Sequence, residues 1–282
     1  MNTPADFLKF IRFSHTIFAM PFAIGAMLVA AKGWPGWTLC GLIVLCMIFA
    51  RSAAMAFNRV ADWNIDKRNP RTAGRHRLVS RGAAIALVLV SSALFVGTTR
   101  YINPLCFWLS PVALGIVFFY SITKRFSHLA QFFLGLALSV APIGAWLAVR
   151  GHFDLAPLVL CLGVLLWVAG FDTIYATQDY EVDRREGLKS IVTWLGVPRS
   201  LIAAQVLHGL MYLCLGGFGW LAGLGAWYWA GLAVIAPVLW YEHHVAAGGD
   251  LRQIDKAFFT ANAVVGAVFV ACLFLGLVIW PA

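Results

Sequence analysis

The chain has 282 residues, of which 61% are hydrophobic and only 12% carry a charge, and its mean hydropathy is +0.82. Soluble proteins usually contain about 25% charged residues, so this composition leaves too little polar surface to coat a water-soluble globule. The same figures exclude a disordered chain, a fibrous protein and a small domain stapled by disulfides. The sequence therefore predicts an all-α membrane protein that forms one polytopic domain over residues 1–282.

Long apolar runs separated by short charged loops predict nine transmembrane helices. Several runs approach the roughly 20 residues that are needed to cross about 30 Å of hydrocarbon. Pro21, Pro142 and Pro237 interrupt individual runs, which neighbouring helices can tolerate by satisfying the freed backbone groups. The predicted spans are 17–31, 37–57, 83–99, 104–122, 129–149, 156–178, 200–220, 226–241 and 257–280.

The net charge of +9 could suggest a nucleic-acid partner, but the positions of the charges favour a membrane topology instead. With a cytoplasmic N-terminus, all but three of the 21 basic residues fall on the cytoplasmic side, the exceptions being Lys32, Arg100 and Arg150. This distribution is the positive-inside pattern of membrane proteins. We therefore expect a multi-pass protein of the bacterial inner membrane that binds no nucleic acid.

Cysteines and histidines give no sign of a structural metal. The six cysteines lie in apolar runs without CxxC spacing, so they are expected to be small buried residues rather than zinc ligands or a disulfide framework. His243 and His244 are expected in a solvated loop.

Acidic residues are scarce and concentrate at the predicted cytoplasmic ends of the second and sixth spans. Within each group the separations of four or seven residues place the side chains on one face of a helix. The sequence therefore predicts two polar stripes at the same membrane surface. The stripes are Asn58, Asp62 and Asp66 in the second span, and Asp172, Asp179 and Asp183 in the sixth.

Two such stripes are unfavourable unless a ligand stabilises them. Carboxylates four residues apart repel one another, and the C-terminal end of a helix adds negative partial charge. Ionisable groups at membrane depth are costly and usually functional. Oxygen-only ligands favour Mg²⁺, which commonly binds through one or two carboxylates together with substrate phosphates. Because Arg59, Arg71, Arg75 and Lys124 lie nearby, the sequence predicts a phosphate or diphosphate substrate.

The two acidic segments also resemble each other. DWNIDKR, which begins at Asp62, aligns with DYEVDRR, which begins at Asp179, at an offset of 117 residues. The same offset places Tyr175 opposite Asn58. A substrate site between internal repeats is a recurring arrangement in membrane proteins. Chance convergence of two solvated helix ends is the alternative.

On these motifs the chain resembles the UbiA-type intramembrane prenyltransferase family. An NxxxDxxxD motif occupies residues 58–66 and a DxxYAxxDxxxD motif occupies residues 172–183. The resemblance covers nearly the whole chain and implies nine transmembrane helices around a central cavity. It also implies transfer of a polyprenyl group from its diphosphate to an aromatic acceptor, with Mg²⁺ as cofactor. Membrane lipid surrounds such a protein, and no obligatory protein partner is expected.

The resemblance implies a role for each residue that matches a family motif. An arginine at the position of Arg51 would hold the carboxylate of the acceptor. The residues implied in catalysis, and in binding Mg²⁺ through the diphosphate, are Asp62, Asp66, Asp172 and Asp179. The residues implied in substrate binding are Arg51, Asn58, Arg71, Arg75, Tyr120, Lys124, Tyr175 and Asp183.

The residue identities within the second motif, and in the segment after it, indicate the acceptor. DTIYATQD at 172–179 resembles the branch that prenylates aromatic carboxylates, so we expect 4-hydroxybenzoate as acceptor and a role in respiratory quinone biosynthesis. DRREGLKS at 183–190 is closer to the branch that acts on 1,4-dihydroxy-6-naphthoate in the futalosine route to menaquinone, which stays an alternative. A transporter is the alternative from another class, but it predicts acidic residues near the bilayer midplane. Here they lie at predicted cytoplasmic helix ends.

Overall fold

The computed structural model describes residues 4–10, 20–68, 78–248 and 251–281, and every regular element within them is a helix. A 3₁₀ turn lies at Thr177–Asp179, and a π-helical turn lies at Leu275–Ile279. The helices of these residues are α1 (Pro4–Phe10), α2 (Met20–Ala31), α3 (Trp37–Ala61), α4 (Trp63–Arg68), α5 (Arg81–Thr99), α6 (Pro104–Thr123), α7 (Ala130–Arg150), α8 (Leu155–Ala176), α9 (Tyr180–Arg185), α10 (Ile191–Leu195), α11 (Val197–Leu221), α12 (Ala226–Ala247) and α13 (Leu251–Phe274).

Local sequence signals explain several helix ends. The Ser80 hydroxyl accepts a hydrogen bond (3.2 Å) from the backbone N–H three residues later and so begins α5. Asn103 caps α6 in the same way, and Pro104 occupies the first helical position. The Asn103 amide also donates to the Leu147 carbonyl (2.9 Å), which ties the start of α6 to the end of α7. Gly151 ends α7 in the left-handed conformation (φ 71°) that glycine adopts without strain.

Seven helical segments of the described residues are long and apolar enough to cross a membrane. They agree with the prediction of an all-α, multi-pass membrane protein. The predicted spans 17–31 and 226–241 overlap α2 and α12, which are not among the seven, so the count of nine stays a prediction. His243 and His244 lie within α12, which continues to Ala247, so the expectation of a solvated loop was wrong. The seven segments are Trp37–Ala61, Arg81–Thr99, Pro104–Thr123, Ala130–Arg150, Leu155–Arg185, Val197–Leu221 and Phe258–Ile279.

Helix α8 lies at the centre of the bundle and packs against α7 on one side and α11 on the other. A Cβ built on Gly135 of α7 would lie 2.3 Å from the Leu165 carbonyl oxygen of α8, so the two backbones touch. Such close approach at small residues is typical of membrane helix pairs. Helix α3 packs against α5 and α6, whereas α2 bridges α7 and α13.

Aromatic rings join three of these helices in the core. The Phe22 ring of α2 lies between Trp167 of α8 (4.8 Å) and Phe269 of α13 (4.6 Å). Trp167 is fully buried and contacts Phe171 one turn later on α8 (5.0 Å). Offset and edge-on ring pairs of this kind add to the stability that burial provides. They hold α8 firmly at the turn that leads into the second acidic motif.

Each acidic stripe crosses a short break in its helix instead of lying on one continuous helix. At the first motif α3 stops at Ala61 and α4 begins at Trp63, although Asp62 N–H still donates to the Asn58 carbonyl (2.9 Å). At the second motif the 3₁₀ turn precedes α9. Both breaks lead into six-residue helices, at 63–68 and 180–185, which are offset by 117 residues. The internal repeat of the sequence is therefore also a repeat of secondary structure.

Candidate active site

A cavity of about 620 Å³ lies between α3, α5, α6, α7 and α8. Because α3 lines it from Ile43 to Arg59, the cavity follows that helix for about 24 Å. Charged side chains surround one end. The other end is apolar, and α7 contributes small residues there, including Ala141, Gly144 and Ala148.

The first motif places one buried carboxylate directly beside two cations. Asp62 is only 3% exposed, and its Oδ2 atom lies 2.6 Å from the Lys124 ammonium nitrogen at the end of α6. Its Oδ1 atom lies 3.5 Å from the Arg125 guanidinium, which also donates to the Ala61 carbonyl (2.6 Å). The end of α3 is therefore held to the end of α6 by opposite charges, as a buried carboxylate requires.

The remaining residues of the first motif lie at the same end of the cavity. Asn58 lines it. Asp66 is buried, and its Oδ2 atom lies 3.5 Å from Nη1 of Arg59, seven residues earlier in the chain. Arg59 itself lines the cavity. The carboxylates of Asp62 and Asp66 thus lie just behind the wall, whereas Lys124 and Arg59, which pair with them, line the cavity.

The second motif faces the cavity directly. Asp172, Tyr175, Asp179 and Asp183 all line it. Although the 3₁₀ turn changes the helical register after Ala176, the three carboxylates still line one space. Residues of the two motifs therefore lie around the same end of the cavity, with the carboxylates of the second motif exposed to it.

Positively charged side chains line the same cavity as these carboxylates. Arg51 lines the cavity deeper along α3, and its buried Nε atom has no hydrogen-bond partner within the described part of the chain. Lys189 lines the charged end, where its backbone N–H donates to the Lys124 carbonyl (2.7 Å). This bond draws the loop that follows the second motif against the end of α6. An anionic ligand would therefore meet cations from both halves of the repeat.

Most of the predicted site residues line this one cavity. Asp62 and Asp66 lie immediately behind its wall, and the predicted residues Arg71 and Arg75 lie outside the described residues. The predicted residues that line the cavity are Arg51, Asn58, Tyr120, Lys124, Asp172, Tyr175, Asp179 and Asp183.

Several polar residues that line the cavity were not among the predicted site residues, including Arg59, Lys189 and Gln131. The sequence named Arg59 only as a basic residue near the first motif, and the structure pairs it with Asp66 seven residues later. Lys189 could have been found from its place in the loop after the second motif. The buried Gln131 side chain accepts from the Ile191 N–H (3.1 Å), a contact between distant segments that no local pattern indicates.

The side chains at the charged end could bind Mg²⁺ only if a bound ligand supplied further oxygen atoms. Among the described residues, no three His, Cys, Asp or Glu side chains are close enough to hold a metal ion by themselves. The carboxylates offer oxygen alone, which suits a hard cation that keeps water and shares phosphate oxygens with its ligand. The arrangement can therefore bind a metal–polyphosphate group at one end and an apolar chain in the interior.

Curated proteins similar to this chain carry closely related names. A protein named 4-hydroxybenzoate octaprenyltransferase, from Marinobacter nauticus, is 31% identical over 276 residues, which cover 94% of this chain and 92% of that protein. The 4-hydroxybenzoate solanesyltransferase of Synechocystis sp. is 31% identical over 90% of this chain and 88% of its own length.

Solved structures have the same fold. The apo structure of a UbiA homologue from Aeropyrum pernix K1 superimposes with a TM-score of 0.85 at 31% identity, over 93% of this chain and 98% of that one. A UbiA homologue from Archaeoglobus fulgidus, bound to GPP and Mg²⁺, gives a TM-score of 0.71 at 20% identity over 95% and 98% of the two chains. The model of the UbiA prenyltransferase family matches residues 19–264. With this match and these relatives, the chain belongs to the UbiA prenyltransferase family.

Proposed function

We propose that the protein transfers a polyprenyl group from polyprenyl diphosphate to a ring carbon of 4-hydroxybenzoate, in respiratory quinone biosynthesis. One observation carries the proposal: two repeated carboxylate motifs and their cations surround one end of a cavity whose other end is apolar. The names of the curated relatives support the choice of acceptor. The proposed unit is the single domain 1–282, with nine transmembrane helices. Its N-terminus and charged end face the cytoplasm of a bacterium.

Mg²⁺ is the proposed cofactor, held through the diphosphate by Asp62, Asp66, Asp172 and Asp179, with Asn58 and Asp183 assisting. When bound, the metal supplies positive charge that stabilises the departing diphosphate. The oxygen-only donor set supports this assignment, as does the Mg²⁺ bound by the Archaeoglobus homologue.

The cations of the chain bind the diphosphate and stabilise the charge that develops on it as the allylic C–O bond breaks. Lys124 and Lys189 serve this role at the described end of the cavity, and Arg71 and Arg75 are proposed from the sequence to assist them. Fixed donors in a site that excludes water stabilise developing charge far better than donors in water. Ion pairing with Asp62 holds Lys124 in place before the substrate arrives.

The acceptor is proposed to lie between the diphosphate and Arg51. The guanidinium binds the acceptor carboxylate, while Tyr120 and Tyr175 border the ring. The ring carbon ortho to the hydroxyl then attacks the allylic carbon and loses its proton. Holding the two reactants in register supplies much of the rate enhancement. The prenyl chain needs no polar groups, and the apolar end of the cavity provides none that are charged.

The test is an assay of purified protein with Mg²⁺ and labelled polyprenyl diphosphate. Separate reactions contain 4-hydroxybenzoate, 1,4-dihydroxy-6-naphthoate or no acceptor. A prenylated hydroxybenzoate is the expected product. A product from the naphthoate alone would assign the alternative acceptor, and no product from either would contradict the proposal.

Two aspartate variants and a control test the site. Asp62→Asn and Asp179→Asn are expected to abolish transfer while the protein still inserts into the membrane. Asp154→Asn is the control because Asp154 lies at the opposite end of α8, where it accepts a hydrogen bond from the Trp146 indole (2.8 Å). Full activity in both motif variants would refute the assignment.

A further inference from the structure

A buried polar cluster lies outside the described lining of the cavity, where α8, α11, α12 and α13 meet. His208, Glu242 and Asn262 are 2%, 1% and 0% exposed. His208 Nδ1 lies 3.0 Å from Nε2 of His243, and 3.7 Å from Oε2 of Glu242. The Asn262 amide donates to Oε1 of Glu242 (2.8 Å). We call these three buried residues the His208–Glu242–Asn262 cluster.

Hydrogen-bond accounting fixes the orientation of two of its members. His208 Nε2 lies 3.1 Å from the Trp167 carbonyl oxygen, which can only accept, so Nε2 carries the proton. Asn262 uses both amide hydrogens, one for Glu242 and one for the Phe258 carbonyl (2.9 Å). The cluster therefore contains two hydrogen bonds between helices, His208 of α11 to the α8 backbone and Asn262 of α13 to Glu242 of α12.

Burying this cluster costs free energy that apolar side chains at the same place would not cost. Oε2 of Glu242 and Oδ1 of Asn262 are buried without a hydrogen-bond partner in the described part of the chain. Well-packed apolar side chains of similar volume often stabilise a protein as well as a buried polar group does, or better. What a hydrogen-bonded cluster adds is a defined orientation of its helices.

The helices that the cluster orients carry the site. A Cβ built on Gly170 would lie 2.3 Å from Cδ2 of His208, so His208 touches the α8 backbone two residues before Asp172. The Phe258 ring lies 4.8 Å from the ring of Tyr175 and 5.3 Å from that of Phe171. Phe171, Tyr175 and Phe258 all line the cavity beside Asp172.

We infer that the His208–Glu242–Asn262 cluster positions the second carboxylate motif: His208 fixes the rotation of α8 through Trp167, and the Asn262–Glu242 bond fixes α13, whose Phe258 ring contacts Tyr175. The three residues are positioning residues, since the cavity lining intervenes between them and any substrate. The inference rests on the proposed function only in taking Asp172 and Tyr175 as parts of a diphosphate and acceptor site.

The decisive variant replaces both partners of one bond at once. Removing both partners of a buried hydrogen bond leaves no orphaned group, so Glu242→Met combined with Asn262→Leu is expected to fold with a Tm near that of the wild type. Because a misplacement of about 1 Å can cost about 10²-fold in rate, we expect kcat to fall at least tenfold in this double variant. The rise in Tm produced by Mg²⁺ with unreactive geranyl thiolodiphosphate is expected to shrink in parallel.

Two single variants serve as controls. Glu242→Gln keeps an oxygen acceptor for Asn262 and is expected to retain kcat within about twofold. Tyr212→Phe removes the hydrogen bond from Tyr212 to the Leu232 carbonyl (3.1 Å), which joins α11 to α12 without reaching α8, and is expected to behave like the wild type.

The inference is overturned if the double variant keeps the wild-type kcat and ligand-induced shift in Tm. It is equally overturned if Tyr212→Phe loses as much as the double variant, or if the double variant fails to fold while Glu242→Gln is unaffected. If the wild type transfers no prenyl group to any acceptor, the proposed function fails instead. The ligand-induced shift in Tm then still decides whether the cluster positions the site.

Discussion

The Lys124 ammonium nitrogen lies 2.6 Å from Oδ2 of Asp62, which joins the cation at the end of α6 to the carboxylate at the end of α3. Because Asp62 is almost fully buried, it depends on this cation and on Arg125 for compensation of its charge. The second motif differs, since its carboxylates line the cavity itself. The two motifs therefore differ in this structure: the first pairs with cations, whereas the second lines the cavity.

Loss of the Lys124 charge should impair catalysis and should also lower Tm, because buried Asp62 would keep only Arg125 as a cationic partner. Lys124→Gln keeps a hydrogen-bond donor for Asp62 but removes the positive charge that is proposed to stabilise the leaving diphosphate. Because one fixed donor to developing charge contributes about 10²-fold in rate, we expect kcat to fall by about that factor. Steady-state kinetics with varied polyprenyl diphosphate measures this effect.

A matched control separates charge at the site from charge in general. Lys32→Gln removes a cation between α2 and α3, outside the lining of the cavity, and should leave kcat unchanged. Equal losses in the two variants would contradict the role of Lys124.

Arg51 should determine the affinity for the acceptor rather than for the donor. A hydrogen bond to a charged group contributes about 1.5–3 kcal/mol, so Arg51→Gln should raise the KM for 4-hydroxybenzoate by about ten- to a hundredfold. Arg51→Lys keeps the charge but loses the planar fork, and should give an intermediate value. The measurement compares KM for 4-hydroxybenzoate with KM for its methyl ester.

The ester comparison provides the control within one experiment. Since the ester lacks the carboxylate charge, its KM should change little in either Arg51 variant. A KM for 4-hydroxybenzoate that is unchanged in Arg51→Gln would exclude the proposed contact.

The sequence could predict the site's charges because charge is rare in a chain of this composition. Asp172, Asp179 and Asp183 repeat at helical spacing, and their shared orientation survives the 3₁₀ turn between α8 and α9. The role of Arg51 was implied by the family resemblance and Lys124 was noted as a basic residue near the first motif; both line the same cavity. Spacing along the sequence was therefore enough to predict which carboxylates of one helical segment face the same way.

Contacts between distant helices could not be predicted in this way. The bond from the Ile191 N–H to Gln131 and the bond from Asn262 to Glu242 each depend on which helices pack together, and no period in the sequence encodes that. His243 was assigned to a loop because it follows an apolar run, yet α12 continues past it and His208 lies beside it. Whether a polar residue at the end of an apolar run lies in a loop or in the helix therefore depends on tertiary packing.

Filling the apolar end of the cavity should select against long prenyl donors. Gly144 lines the cavity about 20 Å along α7 from Gln131, and a Cβ built there meets no atom of the described chain within 4 Å. The added ring of Gly144→Phe can therefore enter the cavity without displacing the backbone. We expect KM for octaprenyl diphosphate to rise about tenfold while KM for geranyl diphosphate stays within about twofold.

A second glycine controls for bulk in the membrane helices. Gly115 of α6 is also open but does not line the cavity, so Gly115→Phe should leave both KM values unchanged. If Gly144→Phe affected the short and long donors equally, the prenyl chain would not extend to this end of the cavity.

Gly135 should be far less tolerant than Gly144, although both lie on α7. The methyl group of Gly135→Ala would meet the Leu165 carbonyl oxygen at 2.3 Å, and a backbone atom cannot rotate away as a side chain can. Overpacking of this kind costs about 2 kcal/mol, so thermal unfolding in detergent should show a clearly lower Tm. Since α8 must move to make room, and α8 carries Asp172, transfer activity should fall as well.

Gly144→Ala adds the same methyl group to open space and should match the wild type in both measurements. A Gly135→Ala protein with unchanged Tm would mean that α7 and α8 do not approach as closely as the structure has them.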